Sequence, residues 1–328
     1  MRVEQVRGTM VEAWHEVHVA VVDRQGHLVA TAGDPTLVTF WRSAAKPFQA
    51  LPLVSDGGVE RFRLTSEEVA VACASHSSEP GQVARVREFL AKLDLSERDL
   101  LCGPHQPLSE RVAEEYERHG VRLTAVYSNC SGKHAAMLAL ARHHGWPTAG
   151  YTRPDHPVQQ RCLAEVSHWT GVPPGAIQTA VDGCGVVCFG VPLVQMALAY
   201  ARLGAGVETG AQAENEEPAP RVVAAMLAHP ELIAGAGRPC TELMHAHPGR
   251  LVTKVGAEGL YCALLVEEGW GVALKVADGH ATAAALAIAA VLEELGLGPR
   301  PATLAPRPNV NTRGETVGEL RVEGRLTR

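Results

Sequence analysis

Leu251-Val-Thr-Lys-Val255, Leu260-Tyr-Cys-Ala-Leu-Leu-Val-Glu267 and Val272-Ala-Leu-Lys-Val-Ala277 are three short apolar runs in close succession, the last two separated by Glu268-Gly269. Their length, alternation and punctuation predict antiparallel hairpins. The same signature stands near the other end of the chain, as Val17–Val22, a turn at Gln25-Gly26, and Leu28–Ala32. Between the two ends the apolar spacing is helical, over Glu67–Cys73, Pro80–Leu93, Ser109–His119, Gly132–His144, His156–Thr170 and Val191–Leu203. Strands from both ends and helices from the middle predict an α/β chain of the α+β kind. One antiparallel sheet is expected from about 1–42 and 250–328, with a helical subdomain inserted at about 43–249, in a single domain of 1–328. Residues 205–220, rich in Glu, Gly and Pro, are expected to form a solvated loop.

At 328 residues and 46% hydrophobic, the chain has material for one large core or two closely joined subdomains. Its net charge is −6 and no basic run is present, so the electrostatic footprint of a nucleic-acid binder is missing. Met1–Glu16 mixes charges throughout and does not read as a signal peptide, so a cytoplasmic location is expected. The apolar segment 281–293 is too short to span a bilayer and reads as a packed helix after the Asp278-Gly279 turn. Eight cysteines lack framework spacing. Cys73, Cys102, Cys162, Cys188, Cys240 and Cys262 read as small buried hydrophobes; Cys130 and Cys184, in glycine-bearing turns, read as accessible thiols.

Only five of the 30 basic residues are lysine, and three of them (Lys46, Lys133 and Lys254) fall in short polar motifs. Lysine can become a neutral base when desolvated, whereas arginine cannot. Lys92 reads as a solvated helix face; Lys275 has no assignment from sequence.

In Trp41-Arg-Ser43-Ala-Ala-Lys46-Pro47, the proline belongs in a first helical turn, which places a helix start near Ser43 or Ala44. Ser43 then lies at a helix N-terminus with Lys46 one turn on, a spacing that suits a serine nucleophile and a lysine base. A lone Ser-x-x-Lys ordinarily marks only a capped helix with an exposed lysine. Here it is followed by Ser128-Asn129-Cys130 and by Lys254-Val255-Gly256, the loose order of the penicillin-recognising serine acyl-transfer enzymes. A further hydroxyl cluster, Ser75-His-Ser-Ser78, precedes Glu79-Pro80; Ser77 and Ser78 read as helix caps, leaving Ser75 available. Spacing alone leaves Ser75 and Ser128 as alternative partners of Lys254.

Cys130-Ser-Gly-Lys133-His134 and Asp182-Gly-Cys184-Gly185 form a second constellation. Two soft sulfurs suit zinc, and ligand chemistry alone adds the imidazole of His134. Gly132-Lys133 is no phosphate loop, because the upstream glycine and the following Ser or Thr are absent.

Taken jointly, Trp41-Arg-Ser-Ala-Ala-Lys-Pro-Phe-Gln-Ala50, Ser75-His-Ser-Ser-Glu-Pro80, Cys102-Gly-Pro-His105, Asn129-Cys-Ser-Gly-Lys-His134, Asp182-Gly-Cys-Gly185, Thr241-Glu-Leu-Met244 and Lys254-Val-Gly-Ala-Glu-Gly259 resemble the Rhizobium-type (class 3) L-asparaginases of the asparaginase II family, from about Val11 to Ala290. The resemblance implies a fold like serine β-lactamases and glutaminases, a homodimer, and hydrolysis of L-asparagine to L-aspartate and ammonia. It implies Ser43 as nucleophile, Lys46 as its base, and Ser75 with Lys254 as a second Ser-Lys pair. It also implies one zinc ion (Zn2+) per chain held by Cys130, Lys133, Cys184 and water; His134 and Asp182 are then read as outer contacts or substrate contacts. That metal set replaces His134 by Lys133, since a cation beside an amine displaces its proton. Arg42, Asp182 and Glu242 are the candidates for the two charged ends of a small zwitterion. Two rival readings stand beside this one: a β-lactam-recognising serine acyl hydrolase, and a non-enzymatic zinc-stabilised binding protein.

Overall fold

The computed structural model describes residues 1–207 and 217–328. Of the loop expected at 205–220, residues 208–216 lie outside the described residues. Among the described residues the strands are β1 (Arg2–Arg7), β2 (Met10–Val22), β3 (Leu28–Ala32), β4 (Val38–Phe40), β5 (Gln178–Val181) and β6 (Val187–Pro192). They continue as β7 (Leu251–Val255), β8 (Leu260–Leu265), β9 (Trp270–Val276), β10 (Arg307–Val310) and β11 (Thr316–Glu323). The helices are α1 (Lys46–Ser55), α2 (Gly58–Phe62), α3 (Ser66–Ala72), α4 (Pro80–Lys92), α5 (Glu110–Arg118) and α6 (Ser131–His144). After them come α7 (Pro157–Thr170), α8 (Leu193–Leu203), α9 (Pro218–Ala228), α10 (Pro230–Ile233), α11 (Pro239–Ala246) and α12 (Ala281–Glu294). The chain divides into two compact units: Met1–Ala44 with Val191–Arg202 and Glu242–Arg328, and Ala45–Gly190 with Leu203–Thr241.

The first unit holds one sheet in the order β10-β11-β1-β2-β9-β8-β7, with β3 also on β2. Every pairing in it is antiparallel. The long β2 makes this possible: Met10–Glu16 pairs with β1, and Val17–Val22 pairs with β9, its second half also taking β3. All of β8 is buried, which accounts for its unbroken apolar run, since a strand covered on both faces has no polar side to alternate. The alanine-rich α12 packs on β8 and β9. Helix α8 approaches β9 so closely that a Cβ on Gly271 would stand 1.8 Å from the Ala197 carbonyl oxygen, so only glycine fits there. No described helix is long and apolar enough to cross a membrane.

The second unit is mainly helical, with α1 packed on α6, α7 and α9, and α3 packed on α6 and α9. A close approach falls at Gly132, where a Cβ would stand 2.1 Å from the Val71 carbonyl oxygen. That glycine is therefore a packing requirement between α6 and α3. A hairpin of β5 and β6 completes the unit, with Val181 opposite Val187.

Four local readings change. The helix expected at Ser43 or Ala44 opens as a 3-10 turn, Arg42–Ala45, and becomes α-helical at Lys46, with Pro47 in the first turn as its missing N–H requires. Val191 and Pro192 finish β6, so α8 begins at Leu193. Strands β1, β4, β5, β6, β10 and β11 were not expected. Ser77 and Ser78 do not cap α4: Ser77 Oγ donates to Ala234 O and Ser78 Oγ to Tyr127 O. Gln82 Oε1 serves that helix start instead, accepting from the N–H groups of Ser77 and Glu79.

Candidate active site

In the first unit, the residues on either side of Ser43 are firmly seated. Trp41 is wholly buried and its Nε1 donates to Cys262 Sγ at 3.3 Å, while the Ala44 carbonyl accepts from Tyr200 Oη at 2.8 Å. Ser43 itself is half-buried and lies within the 3-10 turn. Lys254 is wholly buried on β7, opposite Cys262 on β8, and its Nζ donates to Val255 O at 3.1 Å. Burial raises the Cys262 thiol to about 12, against the bond from Trp41 and the charge of Lys254. Arg42 has a left-handed backbone, φ 51°, and its guanidinium lies 4.0 Å from the Glu258 carboxylate. Glu242 opens α11 half-buried.

In the second unit, Lys46 starts α1 and is wholly buried. Its Nζ lies 2.6 Å from Ala74 O, 2.9 Å from Ser75 Oγ and 3.3 Å from Asn129 O. Burial is the main force lowering the pKa of this amine, and Lys133 adds to it, while Cys130 and Cys184 oppose. Ser75 follows α3 in an irregular segment, where its N–H donates to Ile233 O at 2.8 Å. Ser128 is engaged locally, its Oγ accepting from the Cys130 N–H at 3.3 Å.

The metal candidates meet in the same unit. Cys130 takes the N-cap position of α6 with no side-chain cap bond, Lys133 lies one turn on, and Cys184 occupies the β5–β6 turn, shaped by Asp182 O accepting from Gly185 N–H at 2.8 Å and by Gly185 at φ 89°; both thiols are buried rather than accessible. Lys133 Nζ is 3.0 Å from Cys184 Sγ, and the two thiols are hydrogen-bonded. The pair settles as a Cys130 thiolate accepting from the Cys184 thiol: that bond, with Lys46 and Lys133 nearby, holds Cys130 well below the usual thiol range and drives Cys184 up. Burial lowers the Lys133 amine, but the Cys130 thiolate, the Asp182 charge and the bond to Cys184 outweigh it and the group is raised. No three of His, Cys, Asp and Glu cluster as metal ligands among the described residues. Two sulfurs and an amine do converge, and that donor chemistry fits zinc once Lys133 and Cys184 release their protons.

His134 is wholly buried, and burial together with Lys133 and Lys46 keeps it neutral. Its Nδ1 bonds Tyr151 Oη at 2.7 Å, Tyr151 Oη accepts from Leu101 N–H at 2.9 Å, and His134 Nε2 is buried with no partner. A buried polar atom left in this way offers a bond to a polar ligand. Sequence reasoning missed His76 and Ser131. His76 Nδ1 accepts from Ser78 N–H, so Nε2 carries the proton and donates to Ser131 Oγ at 2.8 Å; burial lowers its pKa to about 3. The pair ties the Ser75 segment to the start of α6, a link that no sequence spacing announces. Tyr151 was also missed.

No curated protein sequence matches the chain. Its structure is similar to Mglu in its native form, at 16% identity over 85% of this chain and 64% of that one, with a TM-score of 0.47. The chain thus spans about 64% of the length of that protein. It is also similar to a β-lactamase from Mycobacterium bovis, at 17% identity over 85% of this chain and 94% of that one, with a TM-score of 0.40. The L-asparaginase II family matches residues 3–322, nearly the whole sequence, and the chain belongs to that family.

Proposed function

We propose that the protein is an L-asparagine amidohydrolase working through an acyl-enzyme on Ser43. The observation that supports a lysine base is the buried Lys46 amine, lowered in pKa and 2.9 Å from the Ser75 hydroxyl, while Ser43 as the nucleophile follows from the Ser-x-x-Lys spacing and the family resemblance. A neutral amine has two N–H bonds and one lone pair. Nζ donates to Ala74 O, Ser75 Oγ and Asn129 O and is also bonded to the Cys130 sulfur; once one proton leaves, the lone pair it vacates can take a hydroxyl proton. Lys46 removes the Ser43 proton, the alkoxide attacks the side-chain amide carbon, and backbone N–H groups of the helix start steady the oxyanion. Ser75, supported by Lys254, returns a proton to the leaving nitrogen. Ammonia departs, and water then cleaves the aspartyl ester.

Arg42 receives the substrate carboxylate, with Asp182, Glu242 and His134 as further substrate contacts. Cys130, Lys133 and Cys184 would hold a zinc ion, which when bound would supply positive charge and anchorage beside the pocket. A homodimer is part of the same reading. The test is ammonia release from L-asparagine, L-glutamine and a β-lactam in parallel, with and without zinc. The expected result is release from L-asparagine, lost in Ser43→Ala without loss of fold. Near-normal turnover in that variant removes the nucleophile, covalent β-lactam labelling without amide hydrolysis favours the acyl-transfer rival, and a chain that unfolds on chelation while consuming nothing is the binding protein.

A further inference from the structure

The turn between β7 and β8 is built with unusual backbone strain. Glu258, at φ 57°, and Arg42, at φ 51°, are both non-glycine residues in the left-handed region, where each pays a steric penalty that its surroundings must enforce. The enforcement is visible. Lys275, almost fully buried, donates its Nζ to Glu258 O at 2.6 Å and to Val276 O at 2.5 Å. Gly279 packs on Glu258, where a Cβ would stand 3.3 Å from Glu258 Cα, and Gly256 presses on the segment before Ser43, where a Cβ would stand 3.1 Å from Trp41 O. The result sets the Glu258 carboxylate 4.0 Å from the Arg42 guanidinium. An exposed pair at that separation adds little to stability, so stability does not explain the strain. The Glu258 side chain is 71% exposed, which leaves its oxygens open to a ligand.

We infer that Glu258 is a specificity-determining residue whose carboxylate receives the α-ammonium group of an amino-acid amide while Arg42 receives its carboxylate. A cation and an anion fixed side by side match a zwitterion whose two charges sit on one carbon, and they disfavour amides that lack the amino group. This inference rests on the proposed amidohydrolase function. The probes are L-asparagine and succinamate, which differ only in the α-amino group, assayed with wild type, Glu258→Gln and Glu258→Asp. Asp keeps the charge and tolerates a left-handed backbone. The ratio of kcat/KM for asparagine over succinamate should fall about tenfold or more in Glu258→Gln, the size of one charge-assisted bond, and recover in Glu258→Asp. Equal losses on both substrates, the mark of a scaffold role, overturn the inference, as does an unchanged ratio. If wild type releases ammonia from neither, the amidohydrolase reading falls, and calorimetry with L-aspartate and succinate decides on Glu258: tighter L-aspartate binding that Glu258→Gln abolishes supports it, and equal binding in wild type overturns it.

Discussion

Lys46 Nζ and Ser75 Oγ lie 2.9 Å apart across 29 residues of sequence, inside a pocket of carbonyl oxygens and away from water. An amine so placed acts as a base only if it can be neutral. Lys46→Met and Lys46→Arg should therefore both lower ammonia release by about a hundred- to ten-thousand-fold, because the guanidinium keeps its proton. Steady-state kinetics on the purified variants checks this; an active Lys46→Arg enzyme would exclude lysine as the base.

Zinc binding should depend on both sulfurs and on Lys133. Elemental analysis of protein dialysed against zinc is expected to find about one ion per chain, falling toward none in Cys184→Ala and in Lys133→Met. Full zinc content in both variants would place the metal elsewhere.

Gly132→Ala should damage the second unit, since the new methyl would meet the Val71 carbonyl at 2.1 Å and backbone cannot yield as a side chain can. A loss of about 1–3 kcal/mol or more is expected in denaturant unfolding, with Cys130 and Lys133 displaced and activity falling with it. Wild-type stability in this variant would contradict the α3–α6 packing.

The C-terminus of α1 carries an acid-sensitive link. Asp56 accepts from Arg161 at 2.9 Å and 3.2 Å and meets His144 at 2.9 Å. Burial raises its pKa, but the bonds from Arg161 and His144 outweigh that and hold it below the ordinary 3.8. A depressed carboxylate pKa means stability that is present above the ordinary value and lost as pH falls through the lower folded value. Asp56→Asn should therefore destabilise by about 1 kcal/mol near neutral pH, discounted for partial exposure, and by progressively less as acid protonates the wild type. Thermal melts from neutral to strongly acidic pH measure this; a constant difference between the two proteins would remove the link.

The sheet was legible where its strands are buried and mostly apolar. Val17–Val22, Leu251–Val255, Leu260–Glu267 and Val272–Ala277 announce β2, β7, β8 and β9 because burial leaves them largely hydrophobic, even at β7 on the edge. β1 escaped notice although it lies inside the sheet, because Arg2–Arg7 interleaves charged and apolar residues; β10 and β11 lie toward one edge and are half-exposed, and Arg307–Val310 and Thr316–Glu323 carry charges that look like loop, so only pairing with one another and with β1 makes them strands. Ser77 and Ser78 looked like caps because cap chemistry is local, yet their hydroxyls found carbonyls 157 and 49 residues away. Lysine followed the same rule. Lys92, read as solvated, reaches the buried Glu68 carboxylate at 2.6 Å, and Lys275, unassigned, is spent on two carbonyls. The motifs around Lys46, Cys130 and Cys184 were legible as chemistry, whereas the Lys46–Ser75 approach and the strained Glu258 turn depend on tertiary packing. The Glu258 signal was present only as a glutamate flanked by glycines in Gly256-Ala-Glu-Gly259.

The most direct measurement is to quench the protein during turnover of L-asparagine and to map any aspartyl ester by peptide mass spectrometry. The account predicts an adduct on Ser43 that accumulates when deacylation is slowed and disappears in Ser43→Ala. An adduct on Ser75 or on a cysteine, or steady ammonia release with no covalent intermediate at all, would contradict it.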